Sequence, residues 1–358
     1  MTTLTETSVA ARKIIKWGII AFLGITVLWY LGTALVNYYK ATHPTVTAPT
    51  MDFGVLPKIV FPESKNRPKM VLELPTGDIP TFVDTMYVYS EPIKKSSFSD
   101  AENAIGTAAA LGFLFTPEIK TASSYIWSNQ DQLSSRLEMN IVTKHFTLTR
   151  QWQNNPSLAV AASFGSDKSV ITDAENYLNK VGLLASDIVG VEKIGYLKDE
   201  GGKLGTALSL SDADFVQLDL FRKNIDEIDP DSDSKEVKAS YPFYRLDPNQ
   251  GVVRMILSGS KNTSEKVIGM TYGYNAIDYT KSGIYPIKTG EKAWEELQNG
   301  GGYVYSGTSA SGEIKVRRIF LGYFDASTPT GYAMPVYVFL GDQGFTAYIS
   351  AVSDSMVK

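Results

Sequence analysis

The densest group of acidic residues in the chain has the pattern of a calcium-binding loop. Asp229, Asp231 and Asp233 stand at alternate positions, as the first carboxylate ligands of such a loop do. The rest of the pattern differs, because Ser234 stands where glycine makes the turn and Ser240 where a bidentate glutamate belongs. Two alternatives therefore stay open, a solvated acidic loop and a low-affinity calcium site, and the sequence implies no other cofactor.

Few other residues have the types that carry out chemistry. The chain has no cysteine and two histidines, His43 and His145, so a cysteine nucleophile, a thiolate-bound metal and a paired-histidine metal motif are excluded. His145 is predicted to be a strand residue on a polar face. Two carboxylates that cleave a glycan need no particular spacing in sequence. We therefore predict no catalytic residue, and an enzyme that acts on glycan stays an alternative.

The overall composition is that of a folded protein that does not bind nucleic acid. Hydrophobic residues make up 44% of the chain and charged residues 20%, which is ordinary for folded domains. The net charge is −4, and no cluster of lysine and arginine with interleaved aromatic residues occurs, so nucleic-acid partners are excluded. The chain can form no disulfides, which many exported domains carry. An exported domain without them fits a bacterial envelope best.

The longest apolar segment covers residues 17–39 and contains no charged residue. As a helix it would be about 35 Å long, enough to cross a hydrocarbon core of about 30 Å. It is apolar on all sides, unlike the core helix of a soluble protein, and longer than the roughly 7–15 apolar residues of a cleaved signal peptide. The segment is therefore predicted to be a single transmembrane helix.

Basic residues flank this span unevenly. Arg12, Lys13 and Lys16 precede it, whereas Lys40 is the one basic residue that closely follows it. Since basic flanks stay in the cytoplasm, residues 1–16 are predicted to be a cytoplasmic tail, and the C-terminal part is predicted to be extracytoplasmic. The polar start of the tail is expected to be disordered.

Residues 40–80 are predicted to be a proline-rich stalk and an extended lead-in to the folded part. They contain seven prolines, and proline disfavours helices and central strands while it favours extended backbone. Short apolar pieces occur within the segment. These pieces, residues 53–56, 59–61 and 70–74, are expected to lie on the folded part as an extended lead-in or as edge strands.

Three short amphipathic helices repeat along the folded part, and each is predicted to end at a glycine. Ser99 and Glu102 form a capping-box pattern that predicts the start of the first helix. Thr172 and Glu175 do the same for the second. The third helix follows Thr289 and lacks the glutamate of the pattern.

Alternating apolar residues after each helix predict antiparallel strands. The predicted strand segments are residues 136–150, 216–221, 252–257, 267–274, 314–323, 333–340 and 345–352. Glycine-containing turns predict hairpins between the third and fourth of these segments and between the last two. The predicted fold is therefore α+β, with one N-terminal transmembrane helix followed by extracytoplasmic modules of short helices packed on antiparallel sheets, over residues 81–170, 171–285 and 286–358.

The C-terminal module carries a sequence of motifs that resembles a known family. A short helix with Ala293 and Leu297 is followed by the apolar segments 319–323, 335–339 and 348–352. This order is similar to the C-terminal part of the YycH/YycI family, whose members are PepSY-related, membrane-anchored extracytoplasmic proteins that regulate an essential cell-wall-sensing histidine kinase. The resemblance covers about a fifth of the chain. It departs from the family at two places: Tyr337 stands where tryptophan is typical, and Val352-Ser353 where glycine soon follows the last alanine.

The sequence therefore predicts a single-pass membrane protein of the bacterial cell envelope that is not an enzyme. Its extracytoplasmic part is expected to bind and regulate a protein partner in the membrane or envelope through exposed sheet edges, whose unpaired backbone groups can dock another chain. Two alternatives stay open, an anchored enzyme that acts on glycan or peptidoglycan and a structural component of a surface assembly. The oligomeric state is not specified by the sequence.

Overall fold

The structure is a computed structural model that describes residues 4–42, 48–64, 67–130, 133–160, 164–190, 192–228, 237–305 and 312–358. The chain divides into two compact units, residues 1–48 and 49–358. The described helices are α1 (Leu4–Thr42), α2 (Asp100–Ala110), α3 (Ser157–Val160), α4 (Asp167–Lys180), α5 (Thr263–Lys266) and α6 (Gly290–Gln298). The described strands are β1 (Lys69–Leu72), β2 (Thr85–Glu91), β3 (Glu118–Ile119), β4 (Ser124–Asn129), β5 (Ser135–Asn140), β6 (Phe146–Arg150), β7 (Glu192–Asp199), β8 (Leu204–Thr206), β9 (Phe215–Leu220), β10 (Ile225–Ile228), β11 (Val237–Tyr241), β12 (Phe243–Tyr244), β13 (Val253–Ser258), β14 (Val267–Tyr272), β15 (Asp278–Pro286), β16 (Tyr303–Tyr305), β17 (Glu313–Phe324), β18 (Gly331–Ala333), β19 (Pro335–Gly341) and β20 (Thr346–Ser350).

The first unit contains α1, a helix of 39 residues. Its segment Ile15–Val36 is long and apolar enough to cross a membrane. The helix begins at Leu4, so the tail differs from the disordered start that the sequence predicts. Alanine, arginine and lysine favour helix there, and neither proline nor glycine occurs between Leu4 and Gly18.

In the second unit, two motifs that each consist of a helix and a meander share one nine-stranded antiparallel sheet. Its strand order is β3-β4-β5-β6-β14-β13-β9-β7-β8. The first motif is α2 followed by β3 to β6. The second motif is α4 followed by β7, β9, β13 and β14, with β8 beside β7. They meet where β6 pairs with β14, the last strand of each. The predicted modules 81–170 and 171–285 thus contribute to one continuous sheet, and the boundary placed between them falls within α4.

Both α2 and α4 pack on the same face of this sheet. Ala104 and Ala108 of α2 and Ala174 and Leu178 of α4 are fully buried in one cluster with the apolar residues of the strands. The strand residues in this cluster follow the alternation of a half-buried sheet, and they include Leu137, Met139, Phe146, Leu148, Leu218, Leu220, Val253 and Met255. The opposite side of the sheet, which is free of α2 and α4, is called the helix-free face below; the short helix α3 covers part of it, where Leu158 and Ala159 are buried with Phe215 and Ile268.

The helix starts differ in part from the predicted capping boxes. The start predicted at Thr172 is wrong, because α4 begins after Ser166, whose side chain forms a capping box with Ser169. Thr172 lies in the helix, where its hydroxyl donates to the carbonyl of Lys168. Ser99 does precede α2, but its side chain makes no capping hydrogen bond. The third helix, α6, begins as predicted after Thr289, whose side chain accepts from the Lys292 N–H.

All three helices end at the predicted glycines. Gly112, Gly182 and Gly300 have φ of +95°, +70° and +92°, the left-handed conformation that glycine adopts without strain. After α2, the Gly112 N–H donates to Ala109 and the Phe113 N–H to Ala108. The same pair of bonds closes α4 and α6, so each helix ends in a Schellman motif.

The segment predicted as one strand over residues 136–150 forms two strands, β5 and β6. The Asn140 side chain accepts from the N–H groups of Val142 and Thr143 and Lys144 has φ of +63°, so the chain turns there. His145 consequently lies in the turn before β6 and not within a strand. The predicted hairpins β13–β14 and β19–β20 are confirmed by their antiparallel pairing.

The C-terminal part forms a second sheet with the order β1-β17-β19-β20-β16, in which β12 also pairs with β17. Residues Ala293, Trp294 and Leu297 of α6 pack on it in a cluster with Phe339 and Ile349. Strand β1 lies at the edge and overlaps residues 70–74, one of the apolar pieces predicted to be an extended lead-in or an edge strand. A third sheet has the order β15-β2-β18, and β10 pairs with β11 alone. The architecture is therefore mixed α+β and consists mostly of sheet.

Candidate functional site

The predicted calcium ligands Asp229, Asp231 and Asp233 lie outside the described residues. The segment that holds them connects β10 to β11, which pair as an antiparallel ribbon. Ser240, at the position where calcium loops carry glutamate, donates to the Asp226 carboxylate over 2.6 Å. Within the residues that the structure describes, no group of three or more histidines and carboxylates is placed to hold a metal ion. The calcium site stays a prediction.

The helix-free face carries a row of polar residues that crosses six strands. Register places Glu138 opposite Thr147, Thr147 opposite Thr271, and Thr271 opposite Arg254. The row continues through the pairs of Arg254 with Asp219 and of Asp219 with Lys193. At about 4.8 Å between strands, it spans about 24 Å. Most of these side chains are at least partly exposed, so the row can contact a ligand.

Two clefts lie along this row and share Thr147 and Thr271. The larger has a volume of about 610 Å³ and also contains Glu138, His145 and Arg245. The smaller has a volume of about 300 Å³ and extends toward Trp152 and Ile256. We call the two together the outer clefts.

His145 is fixed at one end of the larger cleft. Its Nε2 lies 2.8 Å from the side-chain oxygen of Asn275. Burial lowers the pKa of His145, and the hydrogen bond to Asn275 opposes this effect in part. The ring is therefore held mainly neutral at neutral pH, and in that state it donates a hydrogen bond to Asn275.

Arg245 supplies a positive charge to the same cleft. Its guanidinium donates to the Gly251 carbonyl over 2.6 Å and to the Ser327 hydroxyl over 3.3 Å. None of the described carboxylates forms a salt bridge with it. Burial lowers the pKa of Arg245, but the guanidinium is so strongly basic that the side chain stays charged near neutral pH.

Glu138 supplies the negative charge of the larger cleft. Lys120 Nζ donates to it over 2.8 Å and Arg136 lies 3.5 Å away. The hydrogen bond from Lys120, followed by the charge of Lys120, lowers the pKa of Glu138. Glu138 is therefore an ionised acceptor and not a proton donor at neutral pH.

A second polar group, the Arg222 cluster, joins the ends of the nine-stranded sheet to the other two sheets. We define it as Arg222, Asp187, Asp325, Asn275 and Glu91. Arg222 Nη1 lies 2.6 Å from Asp187 and Nε lies 3.2 Å from Asp325, and the Arg222 side chain is 0% exposed. The guanidinium also donates to the Asn275 carbonyl and lies 4.6 Å from the ring centroid of Tyr274.

The charges in the Arg222 cluster depend on one another. Burial alone would lower the pKa of Arg222, but the charges of Asp325 and Asp187 raise it above its usual value. One carboxylate oxygen of each aspartate is buried without a hydrogen-bond partner among the described residues. Arg222 is therefore the main compensation for both carboxylates, and the cluster serves to hold the sheets together.

The edges of the nine-stranded sheet are less suited to docking than its face. Its outermost strands, β3 and β8, contain two and three residues. Short edge strands leave few unpaired backbone groups and so limit pairing with another chain. The expectation that exposed sheet edges dock a partner stays a prediction.

Sequence reasoning did not identify Arg245, Arg222 or the polar row. A signal for the row was present, since Thr147 and Thr149 alternate with apolar residues in β6 and must face away from the core. No signal marked the Arg222 cluster, whose members lie far apart in sequence.

No protein-family model matches the chain, and no curated protein matches it.

Proposed function

We propose that the chain is a single-pass, membrane-anchored binding protein of the bacterial envelope. In this proposal its extracytoplasmic part docks a protein partner on the helix-free face. The observation that carries the proposal is the polar row and its outer clefts on a sheet face that α2 and α4 leave uncovered. The row offers charged and hydroxyl groups across six strands, which suits a polar protein contact better than a small apolar ligand.

The chemistry of the outer clefts favours binding over hydrolysis of a glycan. Glycan cleavage needs one carboxyl that is protonated near neutral pH and a second that is ionised. Glu138 is held ionised by Lys120 and Arg136, and His145 is engaged by Asn275. These residues are therefore assigned to recognition of a partner.

A regulatory role is part of the same proposal. The resemblance of the C-terminal part to the YycH/YycI family supports it, since those proteins act on a membrane-embedded kinase. The helix α1 supports it too, because the segment Ile15–Val36 can span the bilayer and can contact the membrane helices of a partner. Binding outside and contact within the membrane would then act on the same protein.

Photo-crosslinking in native membranes tests the docking face. A photoreactive amino acid at Thr149, which is exposed on the helix-free face, is expected to give a discrete protein adduct. The same probe at Glu102, which is exposed on α2, serves as the matched control and is expected to give none. Reversing a charge on the face by Arg136→Glu should reduce the Thr149 adduct by about tenfold, since a repulsive contact weakens association.

Two results would overturn this assignment. Equal adducts from both positions would show that contact is not specific to the helix-free face. Loss of peptidoglycan integrity on treatment with the purified full-length chain, with no adduct at Thr149, would establish the enzyme alternative instead.

The orientation in the membrane is tested by cysteine labelling, for which the cysteine-free chain is a natural background. A membrane-impermeant maleimide applied to intact cells is expected to label Glu102→Cys and to leave Thr5→Cys unlabelled. Permeabilised cells should show labelling of both. The opposite pattern in intact cells would place the N-terminus outside and contradict the proposed topology.

A further inference from the structure

Arg150 differs from the other buried cations of this protein. The described residues include three cations that are less than a tenth exposed, Arg150, Arg222 and Lys288. Arg222 has two aspartates as partners, and Lys288 has Glu296 and Asp354 at 2.6 and 3.0 Å. No described carboxylate forms a salt bridge with Arg150, although it is only 7% exposed. A buried charge without a partner is costly, so the difference calls for a physical explanation.

Backbone groups compensate this charge only in part. Arg150 Nη1 donates to the Val267 carbonyl over 2.5 Å and Nη2 to the Leu111 carbonyl over 3.2 Å. Leu111 follows the last residue of α2, where the helix dipole leaves about half a negative charge. A guanidinium has five N–H donors; the two backbone carbonyls occupy two of them and the Tyr177 side chain a third, so two remain. Both positive charge and donors are therefore available to a further partner.

Arg150 lines a cleft that is open to such a partner. The cleft lies between the C-terminal end of α2 and the segment 262–265, has a volume of about 460 Å³, and is also lined by Tyr177, Ser135 and Asn129. This volume is in the range of about 300–1,000 Å³ found for small-ligand sites. We call it the Arg150 cleft.

Asn129, which also lines the cleft, indicates that the partner carries a hydrogen-bond donor. Its side-chain nitrogen donates to the Gly112 carbonyl over 3.1 Å, which fixes the orientation of the amide. Its side-chain oxygen is buried and accepts no hydrogen bond from the described residues. The cleft thus presents a cationic fork and a free acceptor, and its apolar wall includes Leu133.

We propose that the Arg150 cleft binds the C-terminal carboxylate of a peptide, with Arg150 donating to the carboxylate and Asn129 accepting from the terminal amide N–H. A planar carboxylate matches the guanidinium fork. Glu265, which also lines the cleft, disfavours ligands of higher negative charge such as phosphate. The cleft opens on the side of the sheet that α2 and α4 cover, so the proposal does not depend on the helix-free face.

Binding of a small peptide acid to the full-length chain in detergent tests this site. The probe is N-acetyl-alanyl-alanine, and its C-terminal amide is the matched control because it has nearly the same size and shape but carries no charge. Calorimetric titration at constant ionic strength is expected to show binding of the acid, and the amide and inorganic phosphate should bind at least about tenfold more weakly. Comparable binding of the acid and the amide, comparable binding of phosphate, or no binding of the acid would each overturn the proposal.

Two variants assign the binding to the cleft. Arg150→Gln is expected to raise the Kd of the acid at least about tenfold, and Asn129→Asp to do the same by placing a like charge beside the ligand. Asn129→Asp keeps Arg150 in place, so it stays informative if Arg150→Gln fails to fold. Arg317→Gln, which removes an exposed arginine from the C-terminal sheet, should leave the Kd unchanged. Wild-type affinity in Asn129→Asp would overturn the assignment.

Discussion

Replacing Arg222 by methionine is expected to lower the free energy of unfolding by about 3–5 kcal/mol, the usual cost of removing one partner from a buried ion pair. The variant leaves Asp187 and Asp325 without their main compensating charge, and the Asp325 side chain is 1% exposed. It also removes the hydrogen bond to the Asn275 carbonyl and the contact with the Tyr274 ring. The loss should therefore be among the largest for any single substitution in the second unit.

Urea unfolding of the full-length chain in detergent, followed by tryptophan fluorescence, measures this loss. Arg317→Met is the matched control, because Arg317 also lies between two carboxylates, Glu73 and Asp342, but is exposed. It should change the midpoint far less, since solvent screens exposed ion pairs. A midpoint of Arg222→Met close to that of wild type would contradict a central role for the cluster.

A double variant separates the charge effect from the packing effect. Adding Asp325→Asn to Arg222→Met removes one of the two uncompensated carboxylates, so part of the lost stability should return. The two residues are in contact, and their effects on the free energy of unfolding should therefore not add. Additive effects would show that Arg222 acts mainly by filling space.

Local patterns in the sequence were sufficient to predict several elements of this fold. The uncharged run from residue 17 to 39 predicts the apolar helix because length and composition alone decide whether a helix can span a bilayer. Glycines at positions 112, 182 and 300 predict helix ends because glycine readily adopts the left-handed conformation that closes a helix. All three glycines have this conformation in the structure. The glycine-containing turn between β19 and β20 predicts the last hairpin, because tight turns need backbone conformations that glycine adopts readily.

Features that depend on distant residues were not accessible to the same reasoning. Asp187, Arg222 and Asp325 come together only because β9 and β17 end at the same junction, and no local pattern indicates this. The start of α4 was missed since its capping box is formed by Ser166 and Ser169, a pairing that the usual serine–glutamate pattern does not include.

Arg150 is an intermediate case. In β6 it alternates with Phe146 and Leu148, and all three face the core, so the period of two alone predicts a buried arginine. The absence of a carboxylate partner among the described residues, however, is a property of the tertiary structure. Sequence could therefore have indicated the position of this charge but not its availability to a ligand.

Replacing Glu91 by glutamine is expected to stabilise the protein at pH 8 by about 3 kcal/mol. Glu91 ends β2 and is 3% exposed. Burial, and to a lesser extent the charge of Asp325, raises its pKa from 4.5 to about 7, while Arg222 and a hydrogen bond from the Thr330 backbone oppose the rise. The difference between about 7 and 4.5, at about 1.36 kcal/mol per pH unit, corresponds to about 3 kcal/mol.

The sign of this effect follows from which state binds the proton. Below about pH 4.5 Glu91 is protonated in both the folded and the unfolded chain, so it has no effect on the pH dependence of stability. Between about pH 4.5 and 7 the unfolded chain releases the proton and the folded chain keeps it, so the stability of the wild type falls as the pH rises. Above about pH 7 the loss is complete. Glutamine cannot ionise, so the Glu91→Gln variant does not show this loss of stability.

Urea unfolding at several pH values between 4 and 8 tests this prediction. The difference in free energy of unfolding between Glu91→Gln and wild type should rise across this range and level off near pH 7. Glu138→Gln is the matched control, since ion pairs lower the pKa of Glu138, and it should give no such gain. A difference that does not depend on pH would show that Glu91 does not titrate in the folded protein.

Arg222 couples the two predictions. The charge of Arg222 lowers the pKa of Glu91, so in an Arg222→Met background the Glu91 carboxyl should hold its proton to a higher pH. The stability of that variant should then keep falling above pH 7, where the stability of the wild type has levelled off. Adding Glu91→Gln to Arg222→Met should remove this extra slope and restore more stability at pH 8 than the same substitution gives in the wild type. A gain from Glu91→Gln of the same size in both backgrounds would show that the carboxyl and the guanidinium do not interact.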